Sequence, residues 1–201
     1  MTKAEFFQLI TYLNEERHIE FKENSPWENE SKGRVTRSII AMSNLRDGGW
    51  IIFGKKLKKD HTYENIGLSQ DTFDSFISDN IKDYVYSHAQ PPIELELFKE
   101  EVDGKKYAGL KIQGLGEMPH ICSKQEDKIL EPGKIYIRSL GKPETTEIRN
   151  YIEMQEVLEI CTEKSLSNYL IKMERIGIDL SLLQIKKSVD DKYGVEAKDI
   201  L

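Results

Sequence analysis

Between Gly48-Gly49 and Gly54 the chain carries four large apolar residues in a row, Trp50-Ile51-Ile52-Phe53. No polar residue alternates with them, so a strand built here is covered on both faces. A strand of that kind belongs to a layered fold. A small C-terminal helical hairpin is expected to follow the main domain.

The surrounding pattern supplies those layers. A first helix is expected from about Lys3 to Asn14, opened by a Thr2–Glu5 capping box, with Phe6, Leu9, Ile10 and Leu13 on one stripe. A strand over His18–Lys22 turns Ile19 and Phe21 one way and Glu20 and Lys22 the other. Residues 23–32 are polar and aperiodic and read as a loop. A second helix over Gly33–Asn44 sends Val35, Ile39, Ile40 and Met42 inward and leaves Arg34, Arg37 and Ser38 able to face out. A third, Asp71–Ser87, is capped by Ser69, carries Phe73, Phe76, Ile77, Ile81, Tyr84 and Val85, and is stopped by Pro91-Pro92. Strands at Ile93–Val102 and Lys106–Gln113 are joined by Asp103-Gly104, a strong hairpin signal. Lys134–Ser139 is a further strand. Asn150 and Glu153 open a helix reaching about Thr162. The pattern loosens from Thr162 to Ser167, which divides the chain into a domain of residues 1–163 and a helical extension of residues 164–201. That extension has one stripe of Leu166, Leu170 and Met173, ends it near Gly177, and begins a second helix near Ser181 with Leu183, Val189 and Tyr193. A hairpin so small needs a surface to pack on, either the main domain or a partner, with a homodimer as one case.

The net charge of −6 excludes a globally basic nucleic-acid binder but not a local basic face. Two cationic clusters stand out: Lys55, Lys56, Lys58 and Lys59, and Lys32, Arg34 and Arg37 followed by Arg46. Brought together, they make a phosphate-binding face. Glu20 and Lys22 share a strand face and Glu15 sits at the preceding turn, a set able to hold a divalent cation beside an attacked phosphate. The Gly48-Gly49 turn offers backbone amides near these cations. No Gly-Lys-Ser/Thr follows it, so it is not a nucleoside-triphosphate loop. His18, His61, His88 and His120 have no zinc-site spacing, although His18 lies between the two glutamates as a candidate base. Cys122 and Cys161 form no disulfide framework and fit a reducing cytoplasm. No apolar run approaches a membrane span. Trp27 either stacks on a base or covers an edge of the domain. Arg138 either contacts a phosphate or pairs with a neighbouring acid.

The ordered set Glu15, Glu20-Phe21-Lys22, Ala41-Met42-Ser43-Asn44, Gly48-Gly49 to Gly54, Ile66-Gly67-Leu68 and Tyr136-Ile137-Arg138 with Gly141 resembles the Schlafen/AlbA-like putative DNA-binding domain family over residues 10–160. The resemblance implies an α/β (α+β) fold, a mixed central sheet with helices packed on it, that binds DNA or RNA; this chain's own cations Arg34, Arg37, Lys55, Lys56, Lys58, Lys59 and Arg138 are the candidates to grip the phosphate backbone. It also implies an alternative, a Mg²⁺- or Mn²⁺-dependent endoribonuclease acting on tRNA-like RNA, with Glu15 and Glu20 as metal ligands and Lys22 stabilising the transition state. The family's third acid falls where this chain has lysines, and Asp60 is the nearest carboxylate. That departure favours binding over cleavage. A non-catalytic protein-interaction subunit, docking through the C-terminal helices, is the remaining expectation.

Overall fold

The doubly covered strand is an inner strand of the main sheet in the computed structural model, which describes residues 3–178. In chain order the elements are α1 (Lys3–Thr11), β1 (Ile19–Lys22), α2 (Asn29–Ser43), β2 (Gly49–Phe53), β3 (Lys55–Leu57), β4 (Tyr63–Asn65), α3 (Gln70–Ser75), α4 (Ser78–His88), β5 (Ala89–Gln90), β6 (Leu95–Val102), β7 (Lys105–Ile112), β8 (Ile121–Cys122), β9 (Tyr136–Arg138), β10 (Thr145–Glu147) and α5 (Tyr151–Arg175). The main sheet has the order β1-β2-β7-β6; β1 is parallel to β2, and the other pairs are antiparallel. Small two-stranded sheets pair β3 with β4, β5 with β8, and β9 with β10.

The pleat of β2 divides the core. Ile51 and Phe53 join Ile39 of α2 and Ile81 and Val85 of α4 on one face. Trp50 and Ile52 join Phe6, Leu9 and Ile10 of α1 on the other. Burying each such side chain contributes roughly 1.5–3 kcal/mol, so α1 and α2 are held against opposite sides of the same strand. β1 follows the expected alternation: Ile19 and Phe21 belong to the α1 side, which leaves Glu20 and Lys22 on the α2 side. The β6–β7 hairpin turns at Asp103-Gly104, both with positive φ, as a two-residue turn of this composition requires.

Several boundaries differ from the sequence expectation. Helix α1 ends at Thr11 and leaves Leu13 exposed, because the Lys55 ammonium takes the Ile10 and Tyr12 carbonyls at its end. Helix α2 starts at Asn29, inside the expected loop, where Ser31 Oγ accepts the Glu28 amide. The third helix is two: it breaks at Phe76-Ile77, where Phe76 turns into the core against Phe53, ring centroids 4.6 Å apart, and Ile77 is exposed. Helix α5 continues to Arg175 through the segment expected to interrupt it. The chain divides into Met1–Cys161 and Thr162–Leu201. The Thr2 cap and the helix expected from Ser181 lie outside the described residues. No helix among the described residues is long and apolar enough to cross a membrane.

Candidate functional site

Strand β1 delivers the central carboxylate. Glu20 lies opposite Ile51 of β2 and is 5% exposed. A buried carboxylate needs partners for its oxygens, and three side chains supply them. Lys22 Nζ lies 2.5 Å from Oε1, Ser38 Oγ donates to Oε1 at 3.0 Å, and Arg138 Nη1 donates to Oε2 at 2.7 Å. Arg138, 2% exposed, also donates to Thr145 Oγ1, the Pro143 carbonyl and the Arg17 carbonyl. Arg17 returns its Nε hydrogen to the Arg138 carbonyl and forks onto both oxygens of Glu156 at 2.6 Å. Ser38 is therefore buried rather than outward-facing, and Arg138 resolves as the partner of an acid.

Glu15 approaches the same place from the turn before β1. Its Oε1 accepts the Phe21 amide at 2.7 Å, and the Tyr63 hydroxyl donates to its carboxylate. Burial, with Glu20 nearby, raises the Glu15 pKa despite that amide and the Arg138 charge. Burial and the Glu15 carboxylate push the Tyr63 hydroxyl up to about 12.

These groups line a cavity of about 510 Å³ whose walls also carry Arg34 and Arg37 of α2, Lys128 and Ile129, and Pro143, Glu144 and Thr145. Arg34 and Lys128 are exposed, while Arg37 is half-buried. The Arg37 guanidinium stands 5.0 Å from the centre of the Tyr136 ring, with its Nε buried and without a hydrogen-bond partner. Helix α2 places Arg34 and Arg37 three residues apart, hence on one face. Thus Glu15, Glu20, Lys22, Arg34, Arg37 and Arg138 converge. Tyr63 and Lys128 join them without any signal in the sequence, since each sits in a short or irregular segment with no period to mark its direction.

The lysine run does not join them. Lys55 is fully buried, donates to Ile10 at 2.7 Å and to Tyr12, and lies 4.4 Å from the centre of the Phe21 ring; burial lowers its pKa to about 8. It is a structural lysine, not a phosphate ligand. Lys56, Lys58 and Lys59 are exposed on the β3–β4 hairpin and do not line the cavity. Lys58 pairs with Asp60 at 3.3 Å, and Asp60 Oδ1 also accepts from the Thr62 amide and hydroxyl. Asp60 is thus occupied outside the cavity and is not a third ligand beside Glu15 and Glu20. Trp27 is 4% exposed and packs edge-on to Tyr84 at 5.9 Å, so it covers the core and offers no face to a base. The Gly48 amide is turned back to the Leu45 carbonyl at 3.4 Å rather than held out for an anion.

The residues present do not fit a hard divalent cation, which takes about six oxygens. Glu20 already accepts from two cations and a hydroxyl, and Glu15 from an amide and a phenol. Glu144 is the remaining acid of the cavity, but no three His, Cys, Asp or Glu side chains among the described residues are grouped to hold a metal. Lys22 and Arg138 would repel an incoming cation. Unit charges about 4 Å apart near a protein surface interact by about 4 kcal/mol.

Asn44 and Gly54 serve the scaffold. Asn44, buried at the end of α2, donates to the His120 and Tyr136 carbonyls at 2.9 Å each and accepts the His120 amide at 2.8 Å. The Gly54 carbonyl accepts the amides of both Ile66 and Gly67, so the glycine after β2 and the Ile-Gly-Leu segment form one joint.

A profile of the Schlafen, AlbA_2 family matches residues 15–147. Among solved structures, the DIP2311 protein from Corynebacterium diphtheriae superposes with a TM-score of 0.52 at 12% identity. That match covers 76% of this chain and 27% of the other, so the chain spans about a quarter of that protein. The likeness is one of fold. The N-terminal domain of a RecG-related protein from Nitrosomonas europaea, described as a putative ATP-dependent DNA helicase, matches with a TM-score of 0.39 at 22% identity, over 57% of this chain and 74% of that one. No curated protein matches the sequence.

Proposed function

Since the chain belongs to the Schlafen, AlbA_2 family, we propose that it is a nucleic-acid-binding protein that grips the sugar–phosphate backbone in the cavity between β1 and α2. The observation that carries this is the convergence of Lys22, Arg34, Arg37 and Lys128 on one concave surface of a chain whose net charge is −6. Cations gathered against the overall charge make a local site for an anion. Contacts of this kind read the backbone rather than base edges, so they carry affinity without sequence preference. The exposed lysines of the β3–β4 hairpin are a secondary contact at most in this reading.

A divalent-metal endoribonuclease, the alternative expected from the sequence, is the weaker reading. Glu15, Glu20 and Lys22 do share a cavity, but the hydrogen bonds around Glu20 favour binding over metal-assisted cleavage.

The test is affinity for a single-stranded oligonucleotide and a duplex by fluorescence anisotropy. Arg34→Ala with Arg37→Ala should weaken binding by tenfold or more at low salt. It should also reduce the salt slope by roughly 0.7–0.9 for each phosphate contact removed. A double variant with unchanged affinity and slope would remove the cavity from the interface.

A further inference from the structure

We infer that Glu15 and Glu20 in this chain are the fixed anionic floor of a phosphate cradle that works without a divalent cation. The phosphate then rests directly on Lys22, Arg34, Arg37 and Lys128. The inference deepens the nucleic-acid reading and rests on it for the identity of the ligand, though not for the statement about metal.

Three observations lead here. First, Glu20 is 5% exposed and its oxygens are occupied by Lys22, Ser38 and Arg138 at 2.5–3.0 Å. Bound this way, it aims two cations and does not offer itself as a ligand. Second, Glu15 faces the cavity with one oxygen fixed by the Phe21 amide. A carboxylate held among the walls of an anion site repels the anion, so its charge lowers phosphate affinity, whereas in a metal site the same charge is indispensable. The two roles give Glu15→Gln opposite signs. Third, no carboxylate from the segment after β2 lines the cavity: Gly54 is followed by the buried Lys55, and Asp60 is bound elsewhere by Lys58 and Thr62.

The experiment uses the full chain at pH 8 and constant ionic strength. Free Mn²⁺ is followed by electron paramagnetic resonance as it is titrated into the protein alone. No saturable site tighter than about 1 mM is expected; a stoichiometric site that Glu15→Gln abolishes overturns the inference. Anisotropy with a labelled single-stranded oligonucleotide is then compared in EDTA and in Mg²⁺. Affinities within twofold are expected, and a tenfold strengthening by Mg²⁺ overturns the inference. Glutamine at position 15 keeps an acceptor for the Phe21 amide, so Glu15→Gln preserves the turn. It should bind the oligonucleotide roughly threefold to tenfold more tightly, as expected for removing a like charge within several ångströms; weaker binding counts against the cradle. If no oligonucleotide binds in any condition, the nucleic-acid reading falls. Pyrophosphate then replaces the oligonucleotide as probe, with the same signs expected, and its failure to bind ends the cradle too.

Discussion

The Lys55 ammonium lies 2.7 Å from the Ile10 carbonyl and 4.4 Å from the centre of the Phe21 ring, in a place with no solvent exposure. It closes the C-terminal end of α1, where backbone carbonyls have no partner within the helix. Lys55→Met keeps the stem and removes the donor, so it should lower stability by about 1–3 kcal/mol, the range for leaving acceptors unsatisfied. The pH dependence has a definite sign. Burial holds Lys55 at about 8 in the folded chain against 10.5 for a free lysine. Between those values the unfolded chain carries more protons, so stability rises with pH as the buried charge is relieved. The advantage of the parent over Lys55→Met should therefore be smallest below pH 8 and grow toward pH 10.5. Urea denaturation of both proteins at pH 7, 9 and 10 checks this, and a difference that is flat with pH contradicts the assignment.

The turn between α2 and β2 shows that two glycines with nearly the same backbone angle can meet different demands. Gly48 has φ +73°, and a Cβ there would lie 2.0 Å from the Ile112 carbonyl oxygen. Gly104, in the β6–β7 turn, has nearly the same φ, +71°, but nothing within 4 Å of its would-be Cβ. Gly104→Ala should thus carry only the left-handed penalty of about 1–2 kcal/mol. Gly48→Ala adds a clash with backbone that cannot rotate away and should be more than about 4 kcal/mol destabilising, or fail to fold. Equal losses in denaturant titration would show that crowding is not what Gly48 answers. The same contrast explains what local pattern can and cannot convey. The alternation in β1, the doubly apolar β2 and the Asp103-Gly104 turn are properties of neighbouring residues, and all were legible. The end of α1 is set by a lysine more than forty positions away, and the α3–α4 break by Phe76 packing on Phe53, so helical periodicity ran past both. Within the site, Glu15, Glu20, Lys22, Arg34 and Arg37 announced themselves by type and spacing. The burial of Ser38 and the pairing of Arg138 depend on contacts 18 and 118 residues apart, which no window of sequence contains.

In the proposed reading, a chain with net charge −6 repels nucleic acid at long range and attracts it at local basic surfaces, the cavity first among them. At physiological salt, charges are screened beyond roughly 8–10 Å, so the overall repulsion and the local attraction are felt at different distances. Association should then lack electrostatic steering and fall in the unsteered range of about 10⁵–10⁷ M⁻¹s⁻¹. Salt should act mainly on dissociation, where the phosphate contacts break. This separates the two basic surfaces of the molecule. Replacing Arg34, Arg37 and Lys128 with alanine should speed dissociation and reduce the salt slope by up to roughly two to three, at about 0.7–0.9 per contact, while the association rate changes less than about threefold. Replacing Lys56, Lys58 and Lys59 on the β3–β4 hairpin should lower the slope by less than one, because those side chains lie outside the cavity and Lys58 is engaged by Asp60. Stopped-flow binding at several salt concentrations ranks the two sets. The reverse ranking would move the interface from the groove beside Glu20 to the hairpin.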